Sequence, residues 1–325
     1  MGHAALARRY AEFAGWATSG GSPCFAAWAA GVAEDADVLA WIATLPGPKR
    51  QPNLVFAAAR WHGVPAPGPY TGLREALLHD DGAIRATILH RATQTNEAGR
   101  LAALVPAFAS LAAERPLALL EVGASAGLCL YPDRWGYAWT TPGGRTVVGP
   151  EPRLKCRVTG PAPLPTAPLD VAWRGGIDLH PLDVTDDDAT AWLETLVWPE
   201  NADRRAVLRH AVEVARTDPP HLVAGDLLDE LPALVAEAAP HGEVVVFHTA
   251  VIMYLSAADR ERFDAMMRGL VADGVCRWVS NEDPRVLPSV LDGAPPLPDE
   301  PTMVLGIDGR AVAWAHHHGR SLAWL

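Results

Sequence analysis

The residues best suited to chemistry are Glu121-Val122-Gly123-Ala124-Ser125-Ala126-Gly127, which follow the apolar run from Leu117 to Leu120. The run reads as a strand buried on both faces. Residues 123–130 read as a turn and the start of a helix. Glycine lets a backbone approach a ligand closely, and the first turn of a helix offers N–H groups that no other residue in the helix uses. In an open α/β sheet, ligands bind beyond the carboxyl ends of the strands. The stretch 121–128 is therefore the expected binding turn for a nucleotide-type ligand. The bland reading is that small residues simply allow a helix to pack closely after a strand.

The same turn matches G-x-S-x-G, the nucleophile elbow of a serine hydrolase, with Ser125 as the nucleophile. Asp226 or Asp229, then one of His316, His317 and His318, follow in the chain order of such a triad. Against this, the elbow normally follows several strands, whereas the residues before 116 read as helical. No HGGG-type segment lies upstream either. The fingerprints G-x-G-x-x-G and G-x-x-x-x-G-K-[ST] do not occur at this turn.

Other polar residues fall at informative places. Ala92-Thr93-Gln94-Thr95-Asn96-Glu97 is dense in uncharged polar groups and ends in an acid. Gln94 and Asn96 can hydrogen-bond a ligand and Glu97 can exchange a proton; Thr93 or Thr95 capping a helix is the bland account. Gln51-Pro52-Asn53 raises the same choice. His248 closes the run EVVVFH, at the carboxyl end of a strand, where it is either a site residue or a buried, satisfied histidine. Tyr254 follows it by six residues. Glu282 and Asp283 end another strand and either orient a substrate amine or cap a turn. His316-His317-His318, read as strand, alternates faces, so no metal site is expected.

The elements that carry these residues fall into two parts. Residues 1–114 read as helical. Ser22 caps a helix opened by Pro23, Asp35 caps the next, and Pro52 opens another. Leu101, Leu104, Val105, Phe108 and Leu111 give the 101–111 stretch an apolar helical stripe, with Pro106 inside it. From 115 to 325, strands and helices alternate, as in a parallel sheet with right-handed crossovers. Expected strands are 117–122, 171–179, 221–225, 243–248 and 275–280, and a closing hairpin spans 302–307 and 310–318 about Asp308-Gly309. Helices are expected over 186–216, broken by Pro199, and over 227–239 and 256–273. Residues 141–170, rich in proline and glycine, read as an inserted hairpin and loop.

Composition narrows the functional classes. The chain has 325 residues, 49% hydrophobic and 20% charged, as expected of a globular protein with a sizeable core. It carries 27 Lys and Arg against 38 Asp and Glu, for a net charge of −11. Nucleic-acid binding needs clustered cations, so it is not expected. Cys24, Cys129, Cys156 and Cys276 lie far apart without CxxC spacing, which argues against a zinc ribbon or redox pair. With neither a signal peptide nor a membrane-length apolar run, the expected location is cytoplasmic.

The 121–127 turn resembles motif I of the class I S-adenosylmethionine-dependent methyltransferases, an acid followed by x-G-x-G-x-G. Glu121, Gly123 and Gly127 match, while Ser125 stands where that motif has its middle glycine. The resemblance implies a Rossmann-like, mostly parallel sheet with an antiparallel last strand, behind a helical amino-terminal part that covers the cleft. It implies a cofactor site of Glu121, Gly123, Ala124, Ser125 and Gly127, with Asp178 on the ribose and Asp226 with Leu227 at the adenine. It further implies methyl transfer to a small molecule, with His248 or Glu97 as base and Asn96 beside it; a Rossmann-like protein that holds a ligand and turns nothing over is the alternative beside the hydrolase. Across nearly its whole length, through QPN, ATQTNE, LALLEVGASAGL and WRGGIDLHPLD, the chain also resembles the bacterial family named domain of unknown function 2332. That resemblance implies the same fold and no particular reaction.

Overall fold

The structure is a computed structural model, and it describes residues 3–94, 96–112, 115–300 and 302–325. The chain divides into two compact units, Met1–Thr95 with Asp186–Arg209, and Asn96–Thr185 with His210–Leu325.

The first unit is helical. It contains α1 (His3–Ser19), α2 (Pro23–Glu34), α3 (Ala36–Ala43), α4 (Pro52–Trp61), α5 (Tyr70–Leu78) and α6 (Ala83–His90). Helix α7 (Leu101–Leu111) belongs to the second unit and α8 (Asp187–Leu196) again to the first, and the division falls within α9 (Ala202–Thr217). The expected starts hold. Ser22 accepts from the Phe25 N–H, and Asp35 accepts from the N–H groups of Asp37 and Val38. Gln51 does not cap α4 through its side chain; its Oε1 accepts from the Thr93 hydroxyl at 2.9 Å. The unit is held by aromatic packing. Phe56 meets Tyr10, Phe25 and Trp28 edge-on, with ring centroids 6.0, 5.2 and 5.5 Å apart. Edge-to-face pairs of this kind add roughly 0.5–1.5 kcal/mol each beyond their buried area.

The second unit is built on one mixed sheet. Its strands are β1 (Leu117–Val122), β2 (Gly136–Thr141), β3 (Gly144–Val148), β4 (Arg153–Thr159), β5 (Val171–Asp178), β6 (His221–Ala224), β7 (Glu243–Thr249), β8 (Arg277–Glu282), β9 (Met303–Ile307), β10 (Arg310–Ala315) and β11 (Ser321–Trp324). Their spatial order is β3-β2-β4-β11-β10-β9-β8-β7-β1-β5-β6. The block β6-β5-β1-β7-β8 is parallel throughout. β9 runs antiparallel to β8, β10 to β9 and β11 to β10. Helices α10 (Leu227–Ala238) and α11 (Ala257–Ala272) cover one face, where Leu231, Leu234, Phe263 and Met267 pack on Leu120, Val122, Val246 and Trp278.

The expected α/β architecture, with its helical amino-terminal part and mostly parallel sheet, is therefore present, and three local expectations are corrected. No helix follows β1; residues 123–135 are turns, and the chain runs on into β2. Gly123, Ser125 and Gly127 all have positive φ, at 69°, 51° and 68°, which a right-handed helix cannot accommodate. Second, the hairpin expected within 141–170 is formed by β3 with β2, which begins earlier at Gly136, and β4 lies parallel to β2 and β11. Third, His316–His318 is not strand but a turn between β10 and β11, closed by the Gly319 N–H donating to the His316 carbonyl at 2.9 Å. The β9–β10 turn is as expected. Asp308 and Gly309 both take positive φ, as a two-residue hairpin of type I′ requires.

Among the described residues, no helix is long and apolar enough to cross a membrane. The four cysteines are buried and free.

Candidate functional site

The carboxyl ends of β1, β5, β7 and β8 lie side by side. The chain crosses from β1 to β5 on one side and returns through β6 to β7 on the other. In this architecture a ligand crevice usually lies beyond the carboxyl ends of the strands at such a reversal in strand order. Two residues beside it, other than glycine, are held in left-handed backbone, Ser125 (φ 51°) after β1 and Ala250 (φ 56°) after β7. Such conformations cost of order 1–3 kcal/mol and persist only where the surroundings enforce them.

All five N–H groups of the 123–127 turn are engaged by the chain itself. Those of Gly123 and Ala124 donate to the Ile177 carbonyl, and that of Gly127 to the Ala124 carbonyl. The Ser125 N–H donates to Asp178 Oδ2 at 2.8 Å, and the Ala126 N–H to Asn96 Oδ1 at 3.2 Å. Asn96 Nδ2 in turn donates to the Ser125 hydroxyl at 2.9 Å. Asn96 and Asp178 thus both hold this turn. The glycines also have packing reasons. A Cβ on Gly123 would collide with Val251, and one on Gly127 with Pro220 and Leu130.

Glu121, like Asn281 and Glu282 at this end of the sheet, has a buried side-chain oxygen without a hydrogen-bond partner among the described residues. It is buried at the crevice end of β1, and the oxygen is its Oε2. Burial pushes its carboxyl well above the ordinary range, Arg100 opposes that shift, and Asp178 reinforces it. Asp178 accepts from the His180 N–H as well as from Ser125, so each oxygen holds one backbone donor. Asp226 is exposed and caps α10 by accepting from the Leu228 N–H at 2.8 Å; Leu227 opens that helix. An ionised carboxylate has about four acceptor positions, so both aspartates keep capacity for a further donor.

His248 is fully buried. Its Nδ1 lies 2.7 Å from Glu282 Oε1, and its Nε2 accepts from Trp278 Nε1–H at 3.0 Å. Both ring nitrogens are engaged, which leaves neither for a ligand. Glu282 Oε1 also accepts from the N–H groups of Val251 and Ile252, at 3.0 and 3.2 Å. This carboxylate therefore sets the loop after β7. On the opposite face of the sheet, Asn281 Nδ2 donates to Thr249 Oγ1 at 3.0 Å.

Arg100 was not singled out by the sequence, yet it organises the rim. It is buried, and donates through Nη1 to the Thr249 carbonyl at 3.0 Å and through Nε to the His317 carbonyl at 2.9 Å. Glu97, three residues earlier, is also buried, and its Oε2 lies 2.9 Å from His318 Nδ1. The signal was present in the spacing, since Glu97 and Arg100 bracket a single 3-10 turn, Ala98–Arg100. A cap by Thr95 lies outside the described residues.

The members of the proposed Ser125 triad have other partners: Asn96 for Ser125, the α10 backbone for Asp226 and Glu97 for His318. Burial and the neighbouring His318 lower the affinity of His317 for a proton, and the same causes hold His316 at a pKa of about 4. Tyr254 is exposed on the loop after β7. Asp283 is paired with Arg285. Among the described residues, no group of three or more His, Cys, Asp or Glu is arranged to hold a metal ion.

The profile of the family described as "Uncharacterized protein conserved in bacteria (DUF2332)" matches residues 7–324, so the chain belongs to that family. No curated protein and no solved structure matches it.

Proposed function

We propose that this DUF2332 protein binds S-adenosylmethionine at the crevice between β1 and β7 and is a methyltransferase acting on a small molecule. The observation that carries this reading is the buried Oε2 of Glu121, without a partner among the described residues, at the point where the parallel strand order reverses. A carboxylate oxygen left without a donor in a buried site is costly, and a ligand ammonium would satisfy it. In chain order the parallel strands run third-second-first-fourth-fifth, the arrangement of doubly wound nucleotide-binding sheets. Their acids also stand at the ends of successive strands.

The residues present fit the cofactor's donors. Glu121 would take the ammonium of its methionine portion, Asp178 the ribose hydroxyls and Asp226 the adenine amino group. When bound, the cofactor supplies a methyl group activated on a sulfonium. The chain itself contributes rigid placement. The Asn96 and Asp178 hydrogen bonds and the Glu282 network fix the two loops that border the site, and positioning of this kind is worth several kcal/mol in a transfer reaction.

Isothermal calorimetry with S-adenosylmethionine and S-adenosylhomocysteine tests this reading. Micromolar binding that weakens at least tenfold in Glu121→Gln is expected. No heat with either compound would sink it. One observation favours a second reading. Ser125 sits in left-handed backbone at a strand's carboxyl end, as the nucleophile of an elbow does. Labelling by a fluorophosphonate probe that is lost in Ser125→Ala would support a hydrolase instead.

A further inference from the structure

We infer that His318, held by the carboxylate of Glu97, is the proton-accepting group of the crevice, and that the substrate presents its nucleophile as an N–H or O–H. This rests on the crevice being the site, as proposed above, but not on which cofactor fills it.

The inference follows from how the histidine turn is anchored. The Arg100 guanidinium reaches both the His317 carbonyl and the Thr249 carbonyl, so residues 316–319 lie against the last residue of β7. A second anchor is steric. A Cβ on Gly319 would collide with the Gly99 carbonyl and lie 2.9 Å from the Arg100 Cα, so turn and 3-10 segment are in direct backbone contact. Glu97 is enclosed in the same way, since a Cβ on Gly99 would lie 2.8 Å from its Oε1. The carboxylate is thereby fixed, with Oε2 2.9 Å from His318 Nδ1.

The three adjacent histidines are not equivalent. His316 Nδ1 accepts from the His318 backbone N–H at 3.0 Å, so that nitrogen carries no proton. His317 has burial, Arg100 and His318 against its charged form, and only Asp283 in favour. His316 has burial, His318, Arg320 and His317 against it, and Glu97 in favour. His318 alone has a carboxylate in ion-pair contact, and its side chain keeps 28% of its surface exposed while that of Glu97 keeps 5%. A buried carboxylate in ion-pair contact with a partly exposed imidazole stabilises its imidazolium. In the step itself, a proton leaves the substrate's nitrogen or oxygen for the His318 imidazole. The pair passes from a net charge of −1 to neutral, and the substrate keeps the electron pair as its nucleophile. A substrate without such a hydrogen, such as a thioether, would gain nothing from this pair.

The test is a titration of histidine Cε1–H resonances by NMR on the full chain without cofactor. His318→Gln identifies the resonance. The midpoint of that resonance is expected to fall by about one unit or more in Glu97→Gln. Glu97→Asp, which keeps the charge but shortens the reach, provides a second variant should the glutamine form not fold; its midpoint is expected to fall by less. A midpoint that moves in neither variant overturns the pairing. Failure of the calorimetric test would leave this result standing, and the reverse also holds. The two ideas therefore fail separately.

Discussion

Gly123 separates what the fold demands of the 123–127 turn from what a ligand would demand. Its φ is +69°, so alanine there adopts a left-handed conformation at a cost of roughly 1–2 kcal/mol. The new methyl would also meet both Val251 methyls and lie 2.9 Å from the Val251 Cβ. Val251 has little room to yield. Its β-branched side chain is stiff, its N–H is held by Glu282 Oε1, and Ala250 before it is already in left-handed backbone. Overpacking of this kind costs roughly 1–3 kcal/mol. Gly123→Ala should therefore destabilise the protein by about 2–5 kcal/mol. Urea unfolding followed by circular dichroism measures it. Val251→Ala in the same chain should return about 1–3 kcal/mol of that loss, because it removes the collision but not the backbone cost. A single variant within about 0.5 kcal/mol of wild type, or strictly additive effects in the pair, would refute this account of the glycine. The double variant is then also the cleanest background for calorimetry. The Val251 collision is relieved there, so a loss of S-adenosylmethionine affinity that persists in the double variant would not come from that collision.

Three further outcomes are expected. Glu282→Ala strands the N–H groups of Val251 and Ile252 and the His248 Nδ1, and should cost about 3–5 kcal/mol in urea unfolding; a loss below about 1 kcal/mol would show that the loop is held otherwise. Asp226→Ala removes the α10 cap and should cost about 1 kcal/mol; an affinity for S-adenosylmethionine unchanged beside that loss would remove Asp226 from the cofactor site. For Glu121, burial raises the folded-state pKa above the ordinary 4.5, so the native state binds its proton more tightly than the unfolded state does. That contribution is present at low pH and lost as pH rises, so Glu121→Gln should gain stability relative to wild type as pH climbs from about 5 to about 8. A constant difference across that range would contradict the buried, unpaired placement of this carboxylate.

The legible parts of the fold were those where one local signal sufficed. Ser22 before Pro23, Asp35 before Val38 and the Asp308-Gly309 turn each carry their own chemistry, and each sits where that chemistry predicts. The runs LALLEV and EVVVFH are buried almost without interruption, as central parallel strands are. What was not legible depended on distant partners. The helix expected after Gly123 fails because Ile177, Asp178 and Asn96 claim the N–H groups of the turn. β2 has no alternation to betray it, since Gly136 to Trp139 are all buried. The histidine run looked like strand because alternation cannot register a turn anchored by Arg100. The site shows the same division. Glu121, Asn96, Glu97, Asp178 and His248 were visible as polar residues at element ends, whereas Arg100, whose role lies in two carbonyls far along the chain, was not.

The distribution of unmet hydrogen bonds is more informative than the motif. In the 121–127 turn, the glycines and the serine are accounted for by packing and by Asn96 and Asp178, so their presence alone does not require a ligand. Glu121 has no such explanation. A glutamine or leucine would serve the sheet better at that position, because a buried carboxyl whose burial outweighs the opposing Arg100 charge has its pKa raised and destabilises the fold when ionised. Residues that cost stability without structural return are concentrated where chemistry is done. The two left-handed residues, Ser125 and Ala250, border the same crevice from β1 and β7, and each is held there by a side chain from another strand or from the segment before α7, Asp178 and Asn96 for the first and Glu282 for the loop of the second. Strain, an unmet carboxylate and an anchored carboxylate–histidine pair thus converge on one end of one sheet, although they arise from residues as far apart in sequence as Glu97 and His318.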